Sequence, residues 1–220
     1  PAPQYVKDNA FYVMLAGLTS VADWIGSSEE PFPLKVEHTP EEHLTYARQQ
    51  AQEAIRNLGW EGWKPPTQTA SLQQLFPTIV DKPRPLQVKV SELAKMLANR
   101  PGLVIIEAPM GEGKTEAAMY LADRWAALLG QRGTYFALPT QASSNQMFGR
   151  VKEFLETRYS GLAANLQLIH GGALLSEDFS ELRISISDSG DNDAPLAGVI
   201  AAEWFLPKKR GLLAPFGVGT

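Results

Sequence analysis

Between Glu107 and Met119 the chain reads EAPMGEGKTEAAM. An apolar run, LVIIE, leads into a turn that holds Gly111 and Gly113, and a helical pattern follows from Lys114. These residue types in this order suit phosphate binding. The glycines let the backbone curl so that several N–H groups point at one anion, and the start of a helix adds its partial positive charge. In such a loop Lys114 reaches the outer phosphates of a nucleotide and the Thr115 hydroxyl ligates Mg2+. Lys114 and Thr115 are therefore the catalytic candidates. Ala108, Pro109, Met110, Gly111, Glu112 and Gly113 complete the binding loop, with Ala108 standing where the common G-x-x-x-x-G-K-[ST] pattern has its first glycine.

Three further places carry chemistry. Asp23 lies mid-helix in GLTSVADWIGS, on a narrow polar stripe with Thr19, Ser20 and Ser27. A carboxylate buried there must be paired, hydrogen-bonded or metal-bound; the residues alone leave a structural aspartate and a metal ligand open. Gln87, ahead of the phosphate loop, has an amide able to pair with N6 and N7 of adenine; it could equally cap a helix. Pro139, Thr140 and Gln141 follow a strand and open a helix, where a hydroxyl and free N–H groups suit a nucleic-acid phosphate and where an ordinary strand-to-helix turn would read the same. The histidines are His38, His43 and His170, and none adjoins an aspartate. His38 and His43 read as surface residues; His170, before Gly171 and Gly172, fits a structural turn. The PKKR run at 207–210 reads as a solvated basic turn.

Elements that could position these groups follow from patterning. Residues 5–28 form one helix, apolar almost all round and so expected to be buried. Thr39, Pro40 and Glu42 give a capping box for a helix ending near Gly59. From 60 to 85 prolines cluster around SLQQLF, which reads as an inter-domain connection. A helix over 86–99 precedes an alternation of strands (LVIIEA, TYFAL, LQLIH) with helices (114–130 and 141–159). That alternation predicts an α/β fold with a parallel sheet and helices on both faces. Residues 176–198 read as a mobile acidic loop in which LRISIS alternates weakly like a strand, and FGVGT reads as a final strand.

Composition narrows the class. The 220 residues, 44% hydrophobic and 20% charged, can build a full core. Without cysteine there are no disulfides or thiolate metal sites. No apolar run is long enough to cross a bilayer. The net charge of −4 and pI near 5.5 argue against a broad basic surface, although backbone N–H groups can still grip phosphates. The chain begins at Pro1 and stops at Thr220; both ends read as cuts through a larger protein or as the limits of its ordered part.

The A-x-x-G-x-G-K-T loop resembles motif I of superfamily 2 helicases. Taken in order with ALPTQASSNQMF, LIHGGA and LLAPFGVGT, it resembles the helicase of type I CRISPR interference, a fusion of an HD-type metal nuclease and a two-lobed RecA-like motor. GLTSVADWIGS is what selects that family, because it resembles the last metal-ligand segment of the nuclease. The resemblance spans nearly the whole chain and implies the following. Residues 1–63 end an all-α HD domain, 64–84 are a linker, and 85–220 are an incomplete first RecA-like lobe with a P-loop parallel sheet. The cofactors are ATP and Mg2+, with a divalent transition metal at the HD site, bound in part by Asp23. Gln87 reads adenine; Pro139, Thr140, Gln141, Gly219 and Thr220 touch nucleic acid; His170 resembles a position near the DNA path, with a structural turn as the other reading, and the PKKR run either lines that path or is a solvated basic turn. The partners are single-stranded DNA and the RNA-guided surveillance complex with its R-loop, in the prokaryotic cytoplasm and in antiviral defence; a membrane is not among them. No D-E-x-H run occurs, so the Walker B carboxylates are expected beyond Thr220 and the HD histidines before Pro1, and the chain alone is expected to be inactive. Two other readings stay open: a DExH-type motor without nuclease activity, and a non-enzymatic fragment that binds nucleotide or DNA.

Overall fold

Among the described residues, five strands, all parallel, lie in the order β1-β5-β2-β4-β3. They are β1 (Thr134–Ala137), β2 (Ala163–Ile169), β3 (Arg183–Ile184), β4 (Gly198–Ala202) and β5 (Phe216–Gly219). The computed structural model describes residues 9–29, 32–33, 39–58, 63–77, 83–97, 100–184 and 198–220. The chain divides into two compact units, 1–58 and 59–220.

In the first unit, α1 (Asn9–Gly26) and α2 (Pro40–Asn57) are the elements. The expected capping box starts α2: the Glu42 N–H donates to Thr39 Oγ1, and the Thr39 N–H donates to Glu42 Oε2 at 3.0 Å. Gly59, expected as the C-cap, lies outside the described residues, as does His38. Ile25, Ala54 and Leu58 are buried. The expectation of a buried first helix is not met. Val13, Met14 and Leu18 are 64–73% exposed, because no described element covers that face.

In the second unit the last strand in sequence is the central one. Each residue of β5 pairs with β1 on one side and with β2 on the other, from Phe216 against Thr134 and Leu166 to Gly219 against Ala137 and Ile169. A strand covered on both faces and both edges carries no polar side chain, and FGVG is buried throughout. Alternate residues of β2 face opposite ways. Leu166 and Leu168 join the core with Phe148, Val151 and Leu155 of α6 (Gln141–Arg158). Ile169 packs under Gly211 of the short helix Lys208–Gly211. Helices thus cover both faces of the parallel sheet, as the alternation predicts. Two further helices, α4 (Pro85–Met96) and α5 (Lys114–Leu129), pack on each other, and α5 ends at Gly130 in the left-handed region (φ 66°).

Three further expectations need correction. LVIIEA has no ladder partner among the described strands. Its burial alternates, with Val104 and Ile106 against the core while Leu103 and Ile105 are 87% and 76% exposed. A run apolar on both faces needs neighbours on both sides, and here it has a core on one face only. The acidic stretch 176–198 contains a helix, Glu177–Glu181, that buries Phe179, followed by β3; residues 185–197 lie outside the description. The stretch 60–85, expected to be a connection, also contributes to the core: Trp63 and, from α3 (Leu72–Leu75), Leu72 and Leu75 are core residues of the second unit, and Trp63 sits edge-on to Tyr159 and Phe216 at 5.7 and 5.0 Å.

A charged network holds that stretch down. Asp123 of α5 is buried and accepts from Arg158 Nε of α6 at 2.7 Å and from the Tyr159 hydroxyl at 3.3 Å. Arg158 Nη2 donates to the Gln68 carbonyl at 2.7 Å. Burial first, then the Asp123 carboxylate, pushes the Tyr159 phenol far above its ordinary value, so it stays a donor. Removing Arg158 strands the buried Asp123 carboxylate. Arg158→Ala is expected to lower stability by about 3–5 kcal/mol in urea unfolding, and a loss under about 1 kcal/mol would show that the network does not hold the fold.

Candidate nucleotide site and the neighbouring sheet edge

The turn before α5 is built on two left-handed glycines, Gly111 (φ 84°) and Gly113 (φ 82°). Gly113 is the residue immediately before the first turn of α5. This backbone aims the helix's unbonded N–H groups toward one point outside the loop. A side chain at Gly113 is also blocked from below, since its Cβ would lie 2.4 Å from Gln87 Nε2.

Gln87 is 2% exposed, and its Oε1 accepts the Arg84 N–H at 2.9 Å, capping α4. It thus packs beneath the loop with one amide end against Gly113. Lys114 folds back across the loop, where its ammonium donates to the Ala108 and Pro109 carbonyls at 2.6 and 2.7 Å. Those bonds brace the turn and hold the charge beside the anion site. Met110 is 96% exposed on the outside. The Thr115 hydroxyl accepts from Arg150 Nη1 of α6 at 3.0 Å, and the same guanidinium pairs with Glu116. The donor set of glycine N–H groups, a lysine ammonium and a threonine hydroxyl at a helix start fits a nucleotide's phosphates with Mg2+.

Two arginines here have no place in the motif. Arg150 is distant in sequence and gives no local signal. Arg84 lies three residues before Gln87, and its Nη1 is 3.7 Å from where a Gly111 Cβ would stand; PRPLQ was the signal that could have found it.

The carboxyl ends of β1, β2 and β5 gather the second group, the usual place for ligands in an open parallel sheet. Leu138 N–H donates to Gly219 O at 2.8 Å, and Thr220 N–H to Ile169 O at 3.2 Å. Gly219 is buried, and a Cβ there would meet Ile169 O at 2.2 Å; Thr220 is exposed beside it. Thr140 is the N-cap of α6, its hydroxyl engaged with Ser143. Pro139 and Gln141 are exposed, and the Gln141 amide lies over Gly171 and Gly172. His170 is buried there. Gly172 N–H donates to its Nδ1 at 3.1 Å, so the ring proton sits on Nε2 and goes to Asn145 Oδ1 at 2.7 Å. His170 therefore joins the end of β2 to α6. In the PKKR turn Arg210 stacks on Trp204 at 4.9 Å, while Lys209 is exposed.

Asp23 lies in the other unit and is exposed. The Thr19 and Ser20 hydroxyls of its stripe bond back to the Leu15 and Ala16 carbonyls. Among the described residues no three metal-ligand side chains come together.

No family model matches the chain. It is 42% identical over 203 residues to the CRISPR-associated endonuclease/helicase Cas3 of Thermus thermophilus, covering 92% of this chain and 22% of that protein. The Escherichia coli relative of the same description is 33% identical over 94% of this chain and 23% of its own length. Among solved structures, T. fusca Cas3–ADP matches with a TM-score of 0.73 at 33% identity, over 94% of this chain and 22% of that one. The chain thus spans just over a fifth of the curated relatives it matches.

Gly113→Ala combines a strained φ with the Gln87 clash. It is expected to weaken binding of a fluorescent ATP analogue by the full-length protein about 5- to 150-fold, the change that a cost of about 1–3 kcal/mol gives. Unchanged affinity would mean that this turn does not bind phosphate.

Proposed function

For a chain homologous over nearly its whole length to one segment of the CRISPR-associated endonuclease/helicase family, we propose that it is part of an ATP-driven translocase of single-stranded DNA, joined to a metal-dependent DNA nuclease. The observation that carries this reading is the turn of two left-handed glycines delivering Lys114 and Thr115 to the start of α5. The protein that contains it degrades target DNA in type I CRISPR interference. It receives the displaced strand of an R-loop from an RNA-guided surveillance complex in the prokaryotic cytoplasm.

The roles follow from the groups present. The N–H groups of 111–115 hold the β- and γ-phosphates without needing a basic surface, which suits a chain of net charge −4. Lys114 leaves the Ala108 and Pro109 carbonyls to neutralise charge on the outer phosphates, and Thr115 offers its hydroxyl to Mg2+. Gln87 supports the loop from below, and reading adenine requires its amide to leave the Arg84 N–H that it now accepts. Bound ATP supplies the phosphoanhydride whose hydrolysis drives movement. At the sheet edge, Gln141, Thr220 and the N–H groups after Pro139 and Thr140 hold DNA phosphates, while Gly219 lets β5 approach β2. Asp23 gives one carboxylate to a divalent transition metal whose chemistry is to polarise a phosphodiester and activate water.

A second reading keeps the motor and removes the nuclease: residues 1–58 dock a partner. The exposed apolar side chains of α1, Val13, Met14 and Leu18 among them, favour it. Metal titration of the intact N-terminal domain separates the two.

In the full-length protein, Lys114→Ala is expected to cut DNA-stimulated ATP hydrolysis by about a hundredfold or more, the scale of losing one preorganised charge donor. Asp23→Ala should spare hydrolysis and abolish cutting. Retained unwinding in the Lys114 variant would contradict the motor, and retained metal-dependent cutting in the Asp23 variant would contradict the metal role.

A further inference from the structure

Arg150 holds the one hydroxyl that the nucleotide's metal requires. Its Nη1 donates to Thr115 Oγ1 at 3.0 Å while Nη2 pairs with Glu116. A guanidinium is always charged. A divalent cation ligated by Thr115 would face that positive charge across a single oxygen, so the two compete for the site. The guanidinium has somewhere else to go. Its side chain is 43% exposed, and a cavity of about 120 Å3 opens beside it, lined by Phe76, Glu116, Met119, Glu153 and Thr157. Glu153 stands one turn further along α6 and offers a second carboxylate on the same face. Moving toward the cavity keeps the ion pair with Glu116 and releases Thr115.

We propose that Arg150 is a metal-responsive latch: it holds the Thr115 hydroxyl until a divalent cation arriving with the nucleotide claims that oxygen, and then swings toward Glu153 while keeping Glu116. This rests on the reading of residues 111–115 as a nucleotide and Mg2+ site. The consequence reaches beyond the metal. Arg150 lies about 13 Å along α6 from its N-terminus, and that N-terminus carries Thr140 and Gln141 at the sheet edge. Loading the nucleotide therefore breaks one of the polar bonds that tie α6, the helix that presents the DNA-facing turn, to the start of α5.

The test uses the full-length protein, a fluorescent ATP analogue and a titration with MgCl2, without DNA and without turnover. In Arg150→Ala the half-saturating MgCl2 should fall about three- to tenfold, the scale of one partly exposed charge-assisted bond removed from the competing side. Affinity for the analogue without metal should stay as in the wild type. Arg150→Lys keeps the pair with Glu116 but cannot fork to two acceptors, so it should shift in the same direction by less. An unchanged MgCl2 dependence in Arg150→Ala would overturn the latch. Loss of metal-free binding would overturn it too, since Arg150 would then be a direct phosphate ligand. Failure of the wild type to bind the analogue at all would instead contradict the nucleotide site on which the latch rests.

Discussion

The start of α5 must stay open to an anion, and most of the second unit serves that constraint. Helix N-termini normally fill their unbonded N–H groups with a capping side chain, as Thr39, Ser71 and Thr140 do elsewhere in this chain. At α5 the N-cap is Gly113, with no side chain to give. The unsatisfied donors are tolerable because they face solvent and, when loaded, phosphate. Gln87 holds the turn from below, Lys114 braces it across the mouth, and Arg150 occupies the threonine.

α6 helps tie that site to the sheet. Among the described residues two side-chain polar contacts join it to α5, Arg150 at the start of α5 and Arg158 at Asp123 further along. The second contact is buried and also pins the Gln68 carbonyl, so it behaves as an anchor. The first is exposed and beside a cavity, so it can give way. α6 is also held by the buried Phe148, Val151 and Leu155, and a change in its one exposed polar tie can bias its N-terminus, where Gln141, Gly172 and His170 meet.

What was legible in the sequence was local. The glycine turn, the Thr39–Glu42 box and the Gly130 cap each follow from two to four adjacent residues, and the parallel sheet from the alternation of strand and helix patterns. What escaped was long-range. Arg150 lies 35 positions from Thr115, and nothing near it marks the contact. GVIAA, which forms β4, gives no turn signals beyond its one glycine and stands at the end of an acidic run that masked it. Trp63 looked like part of a connection because prolines follow it; its burial depends on Tyr159 and Phe216, which only the fold brings near. LVIIEA and α1 failed in the opposite way: their patterns specify burial on more faces than the described residues supply.

The claim on which all this turns is that the phosphate loop and the sheet edge are one coupled device. The direct measurement is the affinity of the full-length protein for a non-hydrolysable ATP analogue, by calorimetry, with and without saturating single-stranded DNA. The account predicts that DNA changes the affinity for the analogue, by about 5- to 150-fold for an ordinary coupling energy, and that the analogue changes the affinity for DNA by the same factor. Nucleotide affinity indifferent to DNA would contradict it.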